Sequence, residues 1–289
     1  MKQTIVDRYV DDLACTLGIS RSQLNVTAAA KGLVAGNFKI LRQEGHVVDG
    51  LNETEGLLVP KISEHDVLDL TAIRWILVIE KEATFRSLLS TALWRRLGSH
   101  GLVLTAKGYP DLASRKFLGH VTDQVPNVPV LAFVDLDPDG IAILSTYKYG
   151  SYRLAHEEVK QGDAPGLGLP HIRWLGVRRH QVSRTPVGES GRDTSVGIHL
   201  QGLMKLTARD RTKAVRMLEW DTCADDGPEP DWRHELQTML VLNSKAEMQV
   251  LDELPGGLVW WLDRELREAC QHSMSAATAD PCSDDGMLY

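Results

Sequence analysis

The stretch VLAFVDLDPDG at residues 130–140 constrains the fold of this chain more than any other part of the sequence. It is an apolar, β-branched run, typical of a buried strand, that ends in Asp135 and Asp137. Because side chains alternate between the two faces of a strand, these two carboxylates leave the strand end on the same side. Carboxylates held so close repel each other unless a cation binds between them. The stretch therefore predicts a cation site at the end of a strand.

A repeating order of strand and helix begins with the apolar segment IRWILVI, which predicts a strand over residues 73–79. Further strands are predicted over residues 102–105, 128–134 and 172–176, and helices over residues 83–97, 111–118 and 140–147. Such alternation, with strands that are apolar along most of their length, indicates an α/β fold in which helices cover a parallel sheet.

Acidic side chains follow two of these strands at the point where each strand ends. Glu80 comes directly after the first strand, and Asp135 and Asp137 follow the strand at 128–134. Ligands of open parallel sheets gather at the carboxyl ends of the strands, so the three acids are predicted to converge there. Carboxylates are preferred ligands of a hard cation such as Mg²⁺. Asp139 is predicted to cap a helix, with a role as a further metal ligand as the alternative.

The segments on either side of this unit predict a smaller domain before it and helices after it. A helix over residues 4–17, a short helix over 20–25 and strands near 47–48 and 57–59 suggest part of a winged-helix module; an ordinary α+β packing unit is equally open. Helices are also predicted near residues 206–219, 231–254 and 258–270. The predicted domains are a partial winged helix at 1–60, the α/β unit with its C-terminal helices at 70–272, and a disordered tail at 273–289.

Composition excludes some classes of protein and leaves others open. The net charge of −7 argues mildly against nucleic acid as a ligand, although a local basic face can coexist with acidic tails. No run of 18 apolar residues occurs, so no membrane span or membrane partner is predicted. The four cysteines form no C-x-x-C pair, which argues against a zinc site or a disulfide framework and favours a reducing compartment.

Two other interpretations of the acidic motif are weaker. The string from Asp135 to Gly140 matches the first half of an EF-hand loop, but the twelfth position is Thr146 and a strand precedes the motif. A phosphatase with an aspartate nucleophile also has D-x-D after a strand. That interpretation gives Glu80 no role and remains a remote alternative.

Four blocks of the sequence resemble successive parts of one known domain. The blocks are IRWILVIEKEATF, TAKGYPDLASRKFL, VPVLAFVDLDPDGIAILSTYKYGS and IRWLGV. They are similar to the Toprim domain of the family formed by the A subunit of DNA topoisomerase VI and its eukaryotic relative, the meiotic double-strand-break protein. The opening segment resembles the back half of the family's winged-helix (CAP-like) domain, and LTARDRTKAVRML resembles its C-terminal helices. The resemblance covers most of residues 4–255 and favours the eukaryotic branch.

The resemblance implies a homodimer in the nucleus that cleaves both strands of duplex DNA and starts meiotic recombination. A tyrosine hydroxyl attacks a phosphodiester and stays linked to the 5′ end. The nucleophile of one protomer works with Mg²⁺ of the other, held by the acids that correspond to Glu80, Asp135 and Asp137, and the cation neutralises phosphate charge. A partner related to the topoisomerase VI B subunit is also implied.

One departure from the family concerns the nucleophile. The family's tyrosine lies in an R-D-I-Y-Y-like block upstream of the helix that here begins near Val6, and these 289 residues contain no such block. Tyr9, Tyr147 and Tyr149 align with other parts of the family pattern. No catalytic tyrosine is therefore assigned, and the expectation is an N-terminally truncated chain that binds DNA and Mg²⁺ with little cleavage.

Four lysines are the candidate contacts to DNA phosphates, which set affinity and position. They are Lys81, Lys107, Lys148 and Lys31. Lys81 is the strongest candidate because it adjoins Glu80 at the strand end. Two alternatives to a DNA-cleaving subunit stay open: a non-catalytic form that binds DNA or partners, and a Toprim nuclease that works without a tyrosine.

Overall fold

The computed structural model describes residues 3–19, 23–26, 30–52, 54–150, 168–182 and 202–278. The helices are α1 Gln3–Leu17, α2 Glu82–Leu89, α3 Trp94–Leu97, α4 Leu112–Gln124, α5 Pro138–Tyr149, α6 Arg179–Val182, α7 Ala208–Leu218, α8 Pro230–Leu242 and α9 Gly257–Thr278. The strands are β1 Leu33–Gly36, β2 Lys39–Leu41, β3 Val47–Asp49, β4 Leu57–Leu58, β5 Val67–Asp69, β6 Trp75–Ile79, β7 Gly101–Thr105, β8 Val130–Phe133, β9 Arg173–Gly176, β10 Leu203–Lys205 and β11 Ser244–Ala246.

A six-stranded sheet in the order β4-β1-β7-β6-β8-β9 forms the centre of the fold. Strand β6 pairs in parallel with β7 and with β8, and β8 pairs in parallel with β9. The predicted α/β architecture around a parallel sheet is thereby confirmed. The antiparallel strands β1 and β4 extend this sheet beyond β7. The sheet therefore includes strands from the span predicted as the first domain.

Burial on both faces explains why these strands are apolar almost throughout. Every residue of β6, β7 and β8 is buried. Helix α9 covers one region of the sheet, since the ring of Trp261 lies 5.4 Å from that of Phe133. Burying a large apolar side chain contributes about 1.5–3 kcal/mol to the free energy of unfolding. The core thus holds β6 and β8 side by side, and with them the residues that follow each strand.

The strands predicted at 47–48 and 57–59 are present, but they do not form one wing. Val48 of β3 pairs with Ile40, in a separate three-stranded sheet of order β3-β2-β5. Leu57 of β4 pairs with Val34 in the central sheet. The two strands therefore belong to different sheets. Of the predicted helix over 20–25, residues 20–22 lie outside the described residues and 23–25 form a turn.

Most of the large apolar side chains described on α1 are exposed. Tyr9 is 65% exposed and Leu17 is 57% exposed, whereas Ala14 is buried.

Among the described residues, no helix combines the length and the apolar character that crossing a bilayer requires.

Hydroxyl groups break the helix that was predicted over 83–97 into α2 and α3. The Ser90 hydroxyl donates to the carbonyl of Ser87, and the Thr91 hydroxyl donates to that of Leu88, both at 2.7 Å. Such side-chain hydrogen bonds compete with the helical pattern of the backbone. The Thr91 hydroxyl also accepts from the amide of Trp94, the first residue of α3.

The helix predicted over 231–254 ends early, at Leu242. Asn243 adopts a left-handed conformation with φ of 50°, a common way for a helix to stop. The next residues form β11, which pairs antiparallel with β10. Ala246 of β11 also exchanges two backbone hydrogen bonds with Leu136, of 2.9 and 3.1 Å. This link brings β11 to the end of β8. At the C-terminus, α9 continues into the span predicted as a tail, and residues 279–289 lie outside the described residues.

Helix α7 begins with a capping box, and removing its cap is expected to destabilise the protein. The Thr207 hydroxyl accepts from the Asp210 amide at 3.1 Å, and the Thr207 amide donates to the Asp210 carboxylate at 2.9 Å. Thr207→Ala should lower the free energy of unfolding by about 1 kcal/mol, measured by urea denaturation. Thr212→Ala, in the middle of the same helix and exposed, should change it much less. Equal losses at both positions would contradict the assignment of the cap.

Candidate metal centre

Glu80 and Asp135 meet at the carboxyl ends of the neighbouring parallel strands β6 and β8. Glu80 follows Ile79 directly, and Asp135 lies two residues beyond the end of β8. The Asp135 backbone amide donates to Oε2 of Glu80 at 3.0 Å. The Met248 amide, just beyond β11, donates to Oδ1 of Asp135 at 2.8 Å. The arrangement fixes the buried carboxylate of Asp135 beside the partly buried carboxylate of Glu80.

Asp137 lies at the start of α5 and caps that helix. Its Oδ1 accepts from the Gly140 amide at 2.7 Å, and its backbone is extended. Pro138 occupies the first helical position, where its missing amide hydrogen costs nothing. The residue predicted to cap this helix was Asp139, so that prediction was wrong. A carboxylate at a helix N-terminus is also stabilised by the helix dipole.

Burial raises the pKa of all three acids. The pKa of Glu80 rises to about 8, chiefly because the carboxyl is buried and then because Asp135 and Asp137 repel its charge. Burial is also the main cause of the raised pKa of Asp135, where Lys81 acts in the opposite direction. The pKa of Asp137 is raised by burial and lowered in part by the Gly140 amide. Negative charge here is poorly compensated, which favours the binding of a cation.

Two lysines neutralise part of this charge. Lys81 Nζ lies 2.9 Å from Oδ2 of Asp135. Lys245 Nζ lies 3.9 Å from Oδ2 of Asp137 and 2.9 Å from Oδ2 of Asp210. The local pattern singled out Lys81, which adjoins Glu80, but offered no reason to single out Lys245 or Asp210. Both of those lie far along the chain in segments predicted to be helical.

Asp139 is paired with side chains of α7 and of the loop after β7. Its carboxylate forms an ion pair with Lys213 and accepts from the Tyr109 hydroxyl at 3.4 Å. Lys213 also donates to that hydroxyl at 2.8 Å and lies 5.5 Å from the centre of the tyrosine ring. The carboxylate of Asp139 thus links α5 to α7 and to the loop after β7.

The acids fit a hard divalent cation in the type of donor and in charge. Glu80, Asp135 and Asp137 supply oxygen ligands, which Mg²⁺ prefers, and the two lysines Lys81 and Lys245 form ion pairs with Asp135 and Asp137. Within the described ranges, His, Cys, Asp and Glu side chains nowhere form a group of three that is ready to hold a metal ion. The Met248 amide and Lys81 instead occupy the two carboxylate oxygens of Asp135.

The lysines predicted to contact DNA occupy different places. Lys107 adopts a left-handed conformation, with φ of 58°, in the loop after β7. The next amide, of Gly108, donates to the backbone carbonyl of Glu80 at 2.9 Å, which places this loop beside Glu80. Its Nζ lies 3.1 Å from Glu82. The Lys31 amide donates to Asp111 at 3.0 Å, near the start of α4.

Lys148 lies at the opposite end of α5 from Asp137, roughly 16 Å along the helix axis at 1.5 Å per residue. Its Nζ forms an ion pair with Glu229 and lies 5.7 Å from the centres of the Trp232 and Tyr149 rings. The fold therefore brings Lys81 to the acids, places Lys107 in the loop beside Glu80 with its Nζ on Glu82, and keeps Lys148 apart from them.

Comparison with known proteins gives consistent matches. The family profile for the Toprim domain of the topoisomerase 6 A subunit and Spo11 matches residues 75–256. The "Meiotic recombination protein rec12" of Schizosaccharomyces pombe is 35% identical over 269 residues, which are 93% of this chain and 67% of that protein. The "Meiotic recombination protein SPO11" of Homo sapiens is 34% identical, covering 86% and 57%. The A subunit of DNA topoisomerase 6 from Arabidopsis thaliana is 34% identical, covering 86% and 53%. The chain thus spans between about half and two thirds of the length of these relatives.

Proposed function

Because the chain belongs to the family of Spo11 and the topoisomerase 6 A subunit, we propose that it is a Mg²⁺-dependent, DNA-binding subunit for making meiotic DNA double-strand breaks. The observation that carries this proposal is the placement of Glu80 and Asp135 at adjacent parallel strand ends, with Asp137 at the following helix start. Acids in this position are suited to a cation that acts on a phosphodiester.

Each group at the site has a proposed part in this reaction. Glu80, Asp135 and Asp137 hold Mg²⁺, which supplies positive charge to the phosphate of the cleaved strand when it is bound. Lys81 and Lys107 hold neighbouring phosphates and fix the register of the DNA. The chemical step proposed from the family is a tyrosine transesterification: the tyrosine oxygen bonds to phosphorus, the bond from phosphorus to the 3′ oxygen breaks to leave a 3′ hydroxyl, and the protein stays linked to the 5′ end.

No nucleophile is assigned among the described residues. Tyr147 is fully buried, and burial raises the pKa of its hydroxyl above the usual range. The Tyr149 hydroxyl donates to Glu229, and the Tyr109 hydroxyl lies between Asp139 and Lys213. These side chains have structural partners or no access to DNA. We therefore propose that the chain supplies the metal-binding part of the centre and that Tyr109, Tyr147 and Tyr149 form no 5′ adduct with DNA.

The partners and the compartment are proposed from the family alone. They are a second copy of the chain, a protein similar to the topoisomerase VI B subunit, duplex DNA and a location in the nucleus. The names of the rec12 and SPO11 relatives, both meiotic recombination proteins, support the meiotic role.

Binding to a short fluorescent DNA duplex in MgCl₂ tests the DNA interface. Lys107→Ala is expected to weaken binding several-fold for any sequence and to lower the slope of log affinity against log salt by about 1. Lys148→Gln, the removal of one positive charge at the far end of α5, should leave the slope unchanged. A slope that Lys148→Gln lowers and Lys107→Ala does not would place the DNA on another face of the molecule.

The ends of cleaved DNA separate the proposed function from its alternatives. Mg²⁺-dependent free 5′-phosphate ends would indicate a Toprim nuclease that needs no tyrosine. DNA binding that is indifferent to Mg²⁺ and to Asp135→Ala would indicate a non-catalytic binding protein. Failure to bind DNA at any Mg²⁺ concentration would overturn the proposal.

A further inference from the structure

Each of the two lysines at the acids has two carboxylate partners. Lys81 Nζ lies 2.9 Å from Asp135 and 3.1 Å from Oε2 of Glu247. Lys245 Nζ lies 2.9 Å from Asp210 and 3.9 Å from Asp137. In both sets, one carboxylate belongs to the proposed metal ligands and the other lies outside them. The same arrangement therefore occurs at both lysines, Lys81 after β6 and Lys245 in β11.

Because Lys81 and Lys245 are largely buried, each can leave its metal-ligand carboxylate only if a second carboxylate is there to accept it. The side chains of Lys81 and Lys245 are 26% and 17% exposed. A largely buried ammonium without a carboxylate partner is strongly destabilising. Glu247, at 43% exposure, can accept Lys81 at low cost because it remains partly hydrated. Asp210 is held in place by its hydrogen bonds with Thr207.

We infer that Lys81 and Lys245 are built-in counter-ions that compete with the divalent cation, and that Glu247 and Asp210 receive them when the cation takes Asp135 and Asp137. This inference rests on the proposed metal centre and adds the residues that set its affinity. In the cation-free protein the lysines stabilise the strand-end acids. With the cation bound and no DNA present, the lysines remain beside the cation, paired with the outer carboxylates.

Removing the charge of Lys81 and removing that of Glu247 should change cation affinity in opposite directions. Loss of the Lys81 charge removes the competitor and should tighten cation binding. Loss of the Glu247 charge removes the alternative partner, so that Lys81 stays on Asp135 and cation binding weakens. Because Glu247 acts through Lys81, its effect should disappear once Lys81 is absent. A simple long-range attraction between Glu247 and the cation would persist in that background.

Calorimetric titration of the 289-residue chain with MnCl₂ alone tests this. Lys81→Met, which keeps the apolar stem, should bind Mn²⁺ about tenfold more tightly than the unchanged chain, an effect between those of exposed and buried charge pairs. Glu247→Gln should bind several-fold more weakly. The double variant should match Lys81→Met within about twofold, as expected for one coupled pair. Glu55→Gln, which removes an exposed charge paired with Arg86, should match the unchanged chain.

Equal or weaker binding by Lys81→Met would overturn the inference, as would an effect of Glu247→Gln that is the same in both backgrounds. If Lys81→Met does not fold, as judged by near-ultraviolet circular dichroism, Lys245→Met gives the same comparison at the second lysine, with tighter binding expected. If the unchanged chain binds Mn²⁺ and both lysine variants bind it with the same affinity, the counter-ion role alone is refuted. Absence of Mn²⁺ binding in every variant would refute the proposed metal centre as well.

Discussion

Asp135→Asn is expected to weaken the binding of Mn²⁺ or Mg²⁺ by at least about 100-fold, since even partners outside the ligand set change metal affinity 10–100-fold. Asp135 lies at the centre of the site, where its amide holds Glu80 and its carboxylate holds Lys81. Asparagine keeps the shape and can still accept from the Met248 amide, but it removes the charge. Calorimetric titration with MnCl₂ measures the change.

Asp139→Asn is the matched control, because it makes the same substitution four positions along the chain. Asp139 is paired with Lys213 and the Tyr109 hydroxyl on the side toward α7. Its replacement should change cation affinity by no more than a few-fold. A loss as large as that of Asp135→Asn would make Asp139 a ligand. Retained affinity in Asp135→Asn would place the cation elsewhere.

The sequence could predict those parts of the site that depend on short stretches of neighbouring residues. The apolar strands before Glu80 and Asp135 are recognisable from their residues alone. Parallel pairing of such strands then places the two acids together, because the carboxyl ends of parallel strands share one edge. The cap at Asp137 also had a local signal: Pro138 favours the first helical position, so the residue before it is the cap. The predicted cap at Asp139 neglected that preference.

The part that sequence could not predict depends on contacts between distant segments. The residues around Lys245 were predicted to continue a helix, whereas Asn243 ends it and β11 pairs with β10. Nothing in the local pattern indicates that Ala246 will exchange hydrogen bonds with Leu136. Likewise, β1 is a short apolar strand that pairs with β7, a strand far along the chain. Such pairings are decided by packing of the whole sheet rather than by local propensity.

The close approach of α5 to the end of β8 gives the second large effect. A Cβ atom on Gly140 would lie 2.3 Å from the Asp135 carbonyl oxygen and 3.2 Å from its carbonyl carbon and amide nitrogen. These are backbone atoms of a buried turn, so they cannot move aside as a flexible side chain can. Gly140→Ala is therefore expected to lower the free energy of unfolding by about 2–3 kcal/mol, as for an overpacked core position. To make room for the methyl group, α5 would have to move away from the end of β8. That movement would take the Gly140 amide away from Asp137, so cation affinity should also fall.

Gly119→Ala supplies the control for that substitution, since it adds the same methyl group to a helix with open space around it. No heavy atom lies within 4 Å of a Cβ built on Gly119, which is in the middle of α4. Alanine is the better helix former by about 1 kcal/mol, so this variant should be more stable than the unchanged chain. Urea denaturation of both variants gives two shifts of opposite sign if the turn between Asp135 and Gly140 is as tight as described. If Gly140→Ala is stabilising as well, the turn relaxes around the methyl group and the acids tolerate movement of α5.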